Sequence, residues 1–137
     1  CPELKIGGLT HSLYAKSGPH GQCVKKCGLT CPYLTMPQKA SSYGECSTVY
    51  LINELIKLGA KPNHLHVHLF GGAAVLSSLS QNTESIGEEN WKTVFEMLKR
   101  LSVPINKTCV GGKIGRKLYF NTSNGDYKLI FCEAVEK

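Results

Sequence analysis

The sequence predicts an α/β sandwich with mixed β-sheets, two main helices and a C-terminal β meander. Three observations carry that expectation. Two stretches repeat apolar residues at helical spacing behind Ser-x-x-Glu capping boxes, at Ser42–Glu45 and Ser85–Glu88. Between them "HLHVHLF" alternates polar and apolar residues as a half-buried strand does. Behind the second helix come "INKTCV", "RKLYFN" and "YKLIFCEAV", the last two joined through Asn124-Gly125. That dipeptide is a strong hairpin signal, because both central positions of a type I′ turn need positive φ.

Taken in order, residues 4–14 alternate loosely around Gly7-Gly8 and read as a strand with a close backbone approach. Residues 15–41 carry Gly, Pro, Ser and three cysteines without periodicity, a long loop that needs covalent staples or a function. In the first helix Cys46, Val49, Tyr50, Ile52, Leu55 and Ile56 approximate one face. Gly59 supplies a left-handed stop, with Pro62 beyond it. Residues 64–70 form the strand, with Leu65, Val67 and Leu69 on its core side. Trp91, Val94, Phe95, Leu98 and Leu101 share one side of the second helix, and Pro104 helps end it. There is no internal repeat, and residues 1–137 read as one domain.

A hydrophobic content of 42% excludes disorder as the default. The apolar runs "VYLI" and "FGGAAVL" are far shorter than the ~20 residues of a membrane span. The net charge of +6 reads first as ordinary solubility charge, with an acidic partner surface as the alternative. The basic residues are scattered, with short clusters at Lys25-Lys26, Lys99-Arg100 and Arg116-Lys117, and no aromatic residues interleave with them. Nucleic acid is therefore not the expected partner. Seven cysteines among 137 residues are many for a reducing cytosol. With the sequons at Asn106 and Asn121 and the missing initiator Met, they point to a secreted chain whose signal peptide has been removed.

Cys23, Cys27 and Cys31, with His20 ahead of them, admit a zinc site or disulfides. An oxidising compartment favours disulfides, and Cys46 at the next helix start is a natural partner. Cys109 and Cys132 lie on candidate strands and can pair with each other. Three bridges leave one thiol over. Cys1 is then a nucleophile, a disulfide half, or the link in a disulfide-bonded dimer. His64, His66 and His68 alternate along one strand face. They either converge on zinc or copper, or line a partly solvated face, and no cofactor is the expectation. Gly71-Gly72 and Gly111-Gly112 lack P-loop spacing and read as tight sheet ends.

Three stretches resemble one family: "IGGLTH", "YGECSTVYLINELIKLGAKPNHLHVHLFGGAAVL" and "IGEENWKTVFEMLKRLSVPINKTCVGGKIGRKLYFNTSNGDYKL". The shared features are Gly-Gly-x-x-His, "ELIKLGA", "FGGA", "IGxxN" and "GGxxGRxxxFNxxxG", in order over roughly three quarters of the chain. They are similar to the bacterial chemoreceptor glutamine deamidases, the CheD family. The resemblance implies the CheD-like α/β sandwich and a chemistry of cysteine, histidine and threonine. In that chemistry a thiolate attacks a glutamine amide, ammonia leaves and water hydrolyses the thioester. His11 falls on the family histidine. The family cysteine lies in a "GxGSC" segment about seventeen residues ahead of that histidine, whereas Cys1 is ten ahead of His11. At about 3.3 Å per residue the difference leaves Cys1 about 20 Å short of the family position. The family threonine is also absent, so either an N-terminal piece has been cut off, leaving a shortened relative, or the scaffold has lost its deamidase apparatus.

Two functions follow. The leading expectation is a secreted, disulfide-stabilised, non-catalytic domain for extracellular recognition, signalling or toxin-like activity, its specificity in the Cys-rich loop at 15–41. The alternative is a cysteine-dependent protein-glutamine deamidase with His11 as base and a thiol from Cys1 or a detached segment.

Overall fold

The computed structural model describes residues 1–15, 42–75 and 85–132. The Cys-rich loop, with Cys23, Cys27 and Cys31, lies outside the described residues apart from Ala15. Helix α1 spans Gly44–Lys57, a 3₁₀ turn Pro62–His64, strand β1 Val67–Gly71 and helix α2 Ile86–Arg100. Strands β2 (Ile105–Val110), β3 (Arg116–Phe120) and β4 (Tyr127–Phe131) follow. This is an α/β fold, as the alternation of patterns predicts.

The two helices begin differently. At α2 the expected cap forms: the Ser85 hydroxyl accepts the Glu88 N–H at 3.1 Å, and Glu88 and Glu89 sit at the positive end of the helix dipole. At α1 it does not. Tyr43 is the N-cap, and its side chain makes no capping bond. The carbonyls of Tyr14 and Ala15 accept the N–H groups of Gly44 (2.7 Å) and Glu45 (3.2 Å) instead. A distant backbone segment satisfies the orphan donors that Ser42 was expected to meet.

Both helices end in Schellman motifs. Gly59 donates to Ile56 O (2.9 Å) and Ala60 to Leu55 O (3.0 Å), with Gly59 at φ 98°. After α2 the same pair of bonds, Ser102 to Lys99 O and Val103 to Leu98 O, forms around Ser102 at φ 55°. A side chain in the left-handed region costs energy that glycine avoids. Ser102→Gly is therefore expected to raise stability by about 0.5–1 kcal/mol, read from the denaturation midpoint. An unchanged or lower midpoint would contradict it.

The core lies between the helices and the first sheet. Ile52, Leu98, Ala60, Leu65 and Val103 are buried together, with Val67 and Ile105 against them, and Val49 meets Met97 beside this cluster. β1 pairs in parallel with β2, α2 forming the crossover, and β3 pairs with β4 antiparallel. "INKTCV" thus belongs to the sheet of β1, and the predicted three-strand meander is a two-strand hairpin. A strand's pattern specifies its faces, while the helix before it decides which neighbour it reaches. Leu65 and Val67 belong to the core cluster, although the first precedes the strand, and Leu69 is half-buried. Between Val67 and His68 the register shifts, and Asn106 is the extra residue. Its side-chain oxygen accepts the Val67 N–H at 2.9 Å, which closes the bulge.

The hairpin turn also differs from expectation. Asn121 and Asp126 close a four-residue loop, Asn121 N–H to Asp126 O at 2.8 Å, and only Gly125 takes positive φ. Asn121 and Asn124 use their side-chain oxygens on the N–H groups of Ser123 (3.0 Å) and Asp126 (3.0 Å). These Asx turns build the loop without a type I′ pair. No helix among the described residues is long and apolar enough to cross a membrane.

Candidate functional site

The predicted first strand is a turn followed by an irregular crossing of α1. The Cys1 ammonium donates to Ile6 O at 2.9 Å, and Cys1 and Ile6 pack against the core cluster. Leu4 lies against Gly59, and Gly8 against Leu51. Ser12 and Ser47 share a 2.6 Å hydroxyl hydrogen bond, and Tyr14 bridges to Tyr43. The segment thus runs antiparallel to α1, from its C-terminal end to its first turn. At 1.5 Å per helical residue that course covers about 20 Å. Cys1 sits at one end of it and His11, beside Ser12, towards the other. The structure does not bring these two side chains together.

His11 itself is exposed. Its segment is pinned on both sides: Ser12 to Ser47 of α1, and the Leu13 carbonyl to the Asn90 Nδ2 of α2 at 2.8 Å. The Asn90 oxygen is buried and has no hydrogen-bond partner among the described residues. Burial pushes the Cys1 ammonium below the ordinary α-amine value.

Around the sheet ends the glycine pairs form tight turns. Gly71, Gly72, Gly111 and Gly112 all have positive φ, and Gly111 donates to Gly71 O at 2.9 Å. Arg116 closes this rim. Its guanidinium donates to Gly111 O (2.8 Å), Gly71 O (3.4 Å) and the Cys109 Sγ (3.3 Å). The ends of both parallel strands and the start of the hairpin are held by one cation with its fixed fork of donors. Arg116 and Asn90 lie within "GGKIGR" and "IGEEN", motifs that marked the family without showing these bonds.

The other candidates fall elsewhere. Cys1, Cys109 and Cys132 are free thiols, so the expected Cys109–Cys132 bridge is not formed, and Cys46 is buried in α1. His64 belongs to the 3₁₀ turn and bonds both Glu3 oxygens at 3.1 Å. His68 packs edge-on against Tyr127 at 5.1 Å, and His66 is exposed. Among the described residues no three His, Cys, Asp or Glu side chains stand together as a metal-ligand set.

His68 is held below the ordinary histidine value by burial first, then by repulsion from Lys107 and His66. The fold therefore favours the neutral ring. Its contribution to stability is intact above the unfolded value of about 6.5 and is lost as pH falls through the folded value. Lys107→Gln is expected to raise the His68 titration midpoint followed by NMR. A midpoint that stays put would remove Lys107 as a cause.

Comparison with known proteins decides the family. The sequence profile for CheD chemotactic sensory transduction matches residues 34–130. The chain belongs to the CheD family. A Pyrococcus abyssi protein named "Probable chemoreceptor glutamine deamidase CheD" is 30% identical over 136 residues, covering 97% of this chain and 75% of its own length. One of the same name from Desulfitobacterium hafniense is 30% identical over 139 aligned positions, with 99% and 76% covered. A third, from Thermococcus kodakarensis, is 29% identical over 125 residues, with 91% and 69% covered. Four of the five short motifs lie at a cap, helix end, turn or sheet end described above, and the fifth, Gly7-Gly8-x-x-His11, lies in the segment that crosses α1.

Proposed function

We propose that this CheD-family chain is a cysteine-dependent protein-glutamine deamidase domain with His11 as its general base. The observation that carries the reading is similarity over nearly the whole chain to proteins named chemoreceptor glutamine deamidase. The exposed, doubly pinned His11 supports it. In this chemistry the imidazole takes the thiol proton and the thiolate adds to the carboxamide carbon. The C–N bond breaks as the imidazolium returns a proton to nitrogen, and ammonia leaves. Water, deprotonated by His11, then adds to the thioester. The C–S bond breaks, leaving glutamate and the regenerated thiolate. The thiol of this reading comes from Cys1, which lies apart from His11 and would have to move to reach it, or from a cysteine outside residues 1–137, and mapping the alkylated cysteine separates the two.

The test is ammonia release from a purified chemoreceptor bearing glutamines, with iodoacetamide labelling to map the reactive cysteine. Ammonia release that stops on alkylation supports the reading. No release from any glutamine protein ends it.

A second reading is favoured by the seven cysteines and two sequons. It is a secreted, N-terminally shortened and disulfide-stapled module that recognises an extracellular protein or acidic surface without catalysis. Thiol counting on the native protein under non-reducing conditions separates the two, because this reading needs bridged cysteines and no ammonia.

A further inference from the structure

We infer that Asn90 is a positioning residue for His11, acting through the Leu13 carbonyl. The inference rests on the reading of His11 as the base and names a residue that reading does not include. Asn90 lies in the first turns of α2, behind the Ser85 cap, and its Nδ2 donates to Leu13 O at 2.8 Å. Leu13 is two residues past His11. The Ser12–Ser47 bond holds the intervening residue from the side of α1. The segment carrying the base is therefore clamped between the first turns of two helices, and Asn90 supplies the α2 half of the clamp.

The orientation of the Asn90 amide is forced. A carbonyl oxygen can only accept, so the NH₂ end must face Leu13 and the oxygen must point away. That oxygen is buried and lacks a partner among the described residues. A buried acceptor left unmade costs more than an ordinary hydrogen bond returns. Asn90 is thus a poor choice for stability alone, and a residue kept at a cost in stability is the signature of a functional demand. A base displaced by about 1 Å can lose about 10²-fold in rate, while substrate contacts made elsewhere keep their affinity.

The experiment compares the full chain with Asn90→Ala and with Asn90→Asp, which keeps the volume and loses the donor. Both variants are expected to lower kcat for glutamine deamidation by about 10–100-fold with KM within about threefold. The Asn90→Ala melting temperature is expected to stay level or rise. A kcat within about twofold of the parent, or a kcat loss that tracks a falling melting temperature, would overturn the inference. If the parent chain releases no ammonia, the deamidase reading fails by itself. The positioning claim is then read from the His11 imidazole resonances. In that case resonances identical in parent and Asn90→Ala overturn it, and a change of shift or averaging supports it.

Discussion

Replacing His11 with alanine is expected to lower glutamine deamidation by about 10²–10⁴-fold, the usual worth of a positioned acid–base group. The loss should fall on kcat. His11 acts in both halves of the proposed reaction, first accepting the thiol proton and later activating water, so no step bypasses it. The side chain is exposed, so its removal costs the fold little. Circular dichroism melts of parent and variant should coincide while ammonia release collapses. A variant retaining more than about a third of parental activity would remove His11 from the mechanism.

Gly72→Ala is expected to give the largest loss of stability, about 2–4 kcal/mol. Two separate costs combine there. The backbone sits at φ 67°, where a side chain is strained, and an added Cβ would lie 2.5 Å from Gly87 O and 2.6 Å from Trp91 Cδ1. The first neighbour is backbone of α2 and the second a large ring, so neither yields cheaply. Gly125→Ala supplies the comparison: φ is 80° and nothing lies within 4 Å of the added carbon. Its cost is the conformational part alone, about 1 kcal/mol. Equal denaturation midpoints for the two variants would show that the Gly72–Gly87 contact carries no weight.

Local signals in the chain were legible where they act locally. The Ser85 cap and the Gly59 stop depend on residues a turn apart, and each appears as its spacing predicts. The buried faces do so in part: Val49, Ile52 and Leu98 are buried as expected, whereas Met97 is buried outside the expected face and Trp91 and Phe95 are half-buried. The Ser42 box failed for a different reason. Its donors were within reach of the Tyr14 and Ala15 carbonyls, which spacing along the helix cannot reveal. The same holds for the hairpin, where the side chains of Asn121 and Asn124 stabilise a longer loop than Asn-Gly implies.

The candidate site divides along that line. His11 was readable because a motif marks it, and the family is readable because five motifs keep their order. The pairing of Cys109 with Cys132, the alternative that His64, His66 and His68 converge on a metal, and the placing of Cys1 short of the family nucleophile were all readings about distance. The structure instead gives Cys109 to Arg116, His64 to Glu3 and Cys1 to the core.

By itself, then, the sequence determined the helices, the apolar faces, the glycine turns and the membership in the CheD family. The helices, faces and turns follow from periodicity and backbone preference, properties of neighbouring residues. The family follows from the likeness of five ordered motifs and of nearly the whole chain to known members. Only the tertiary structure decided that β2 joins β1, that α1 is capped by a remote backbone segment, and that Asn90 and Ser47 clamp the His11 segment. Those are contacts between residues 30 to 77 positions apart. No local preference encodes them, because they exist only after the helices have packed.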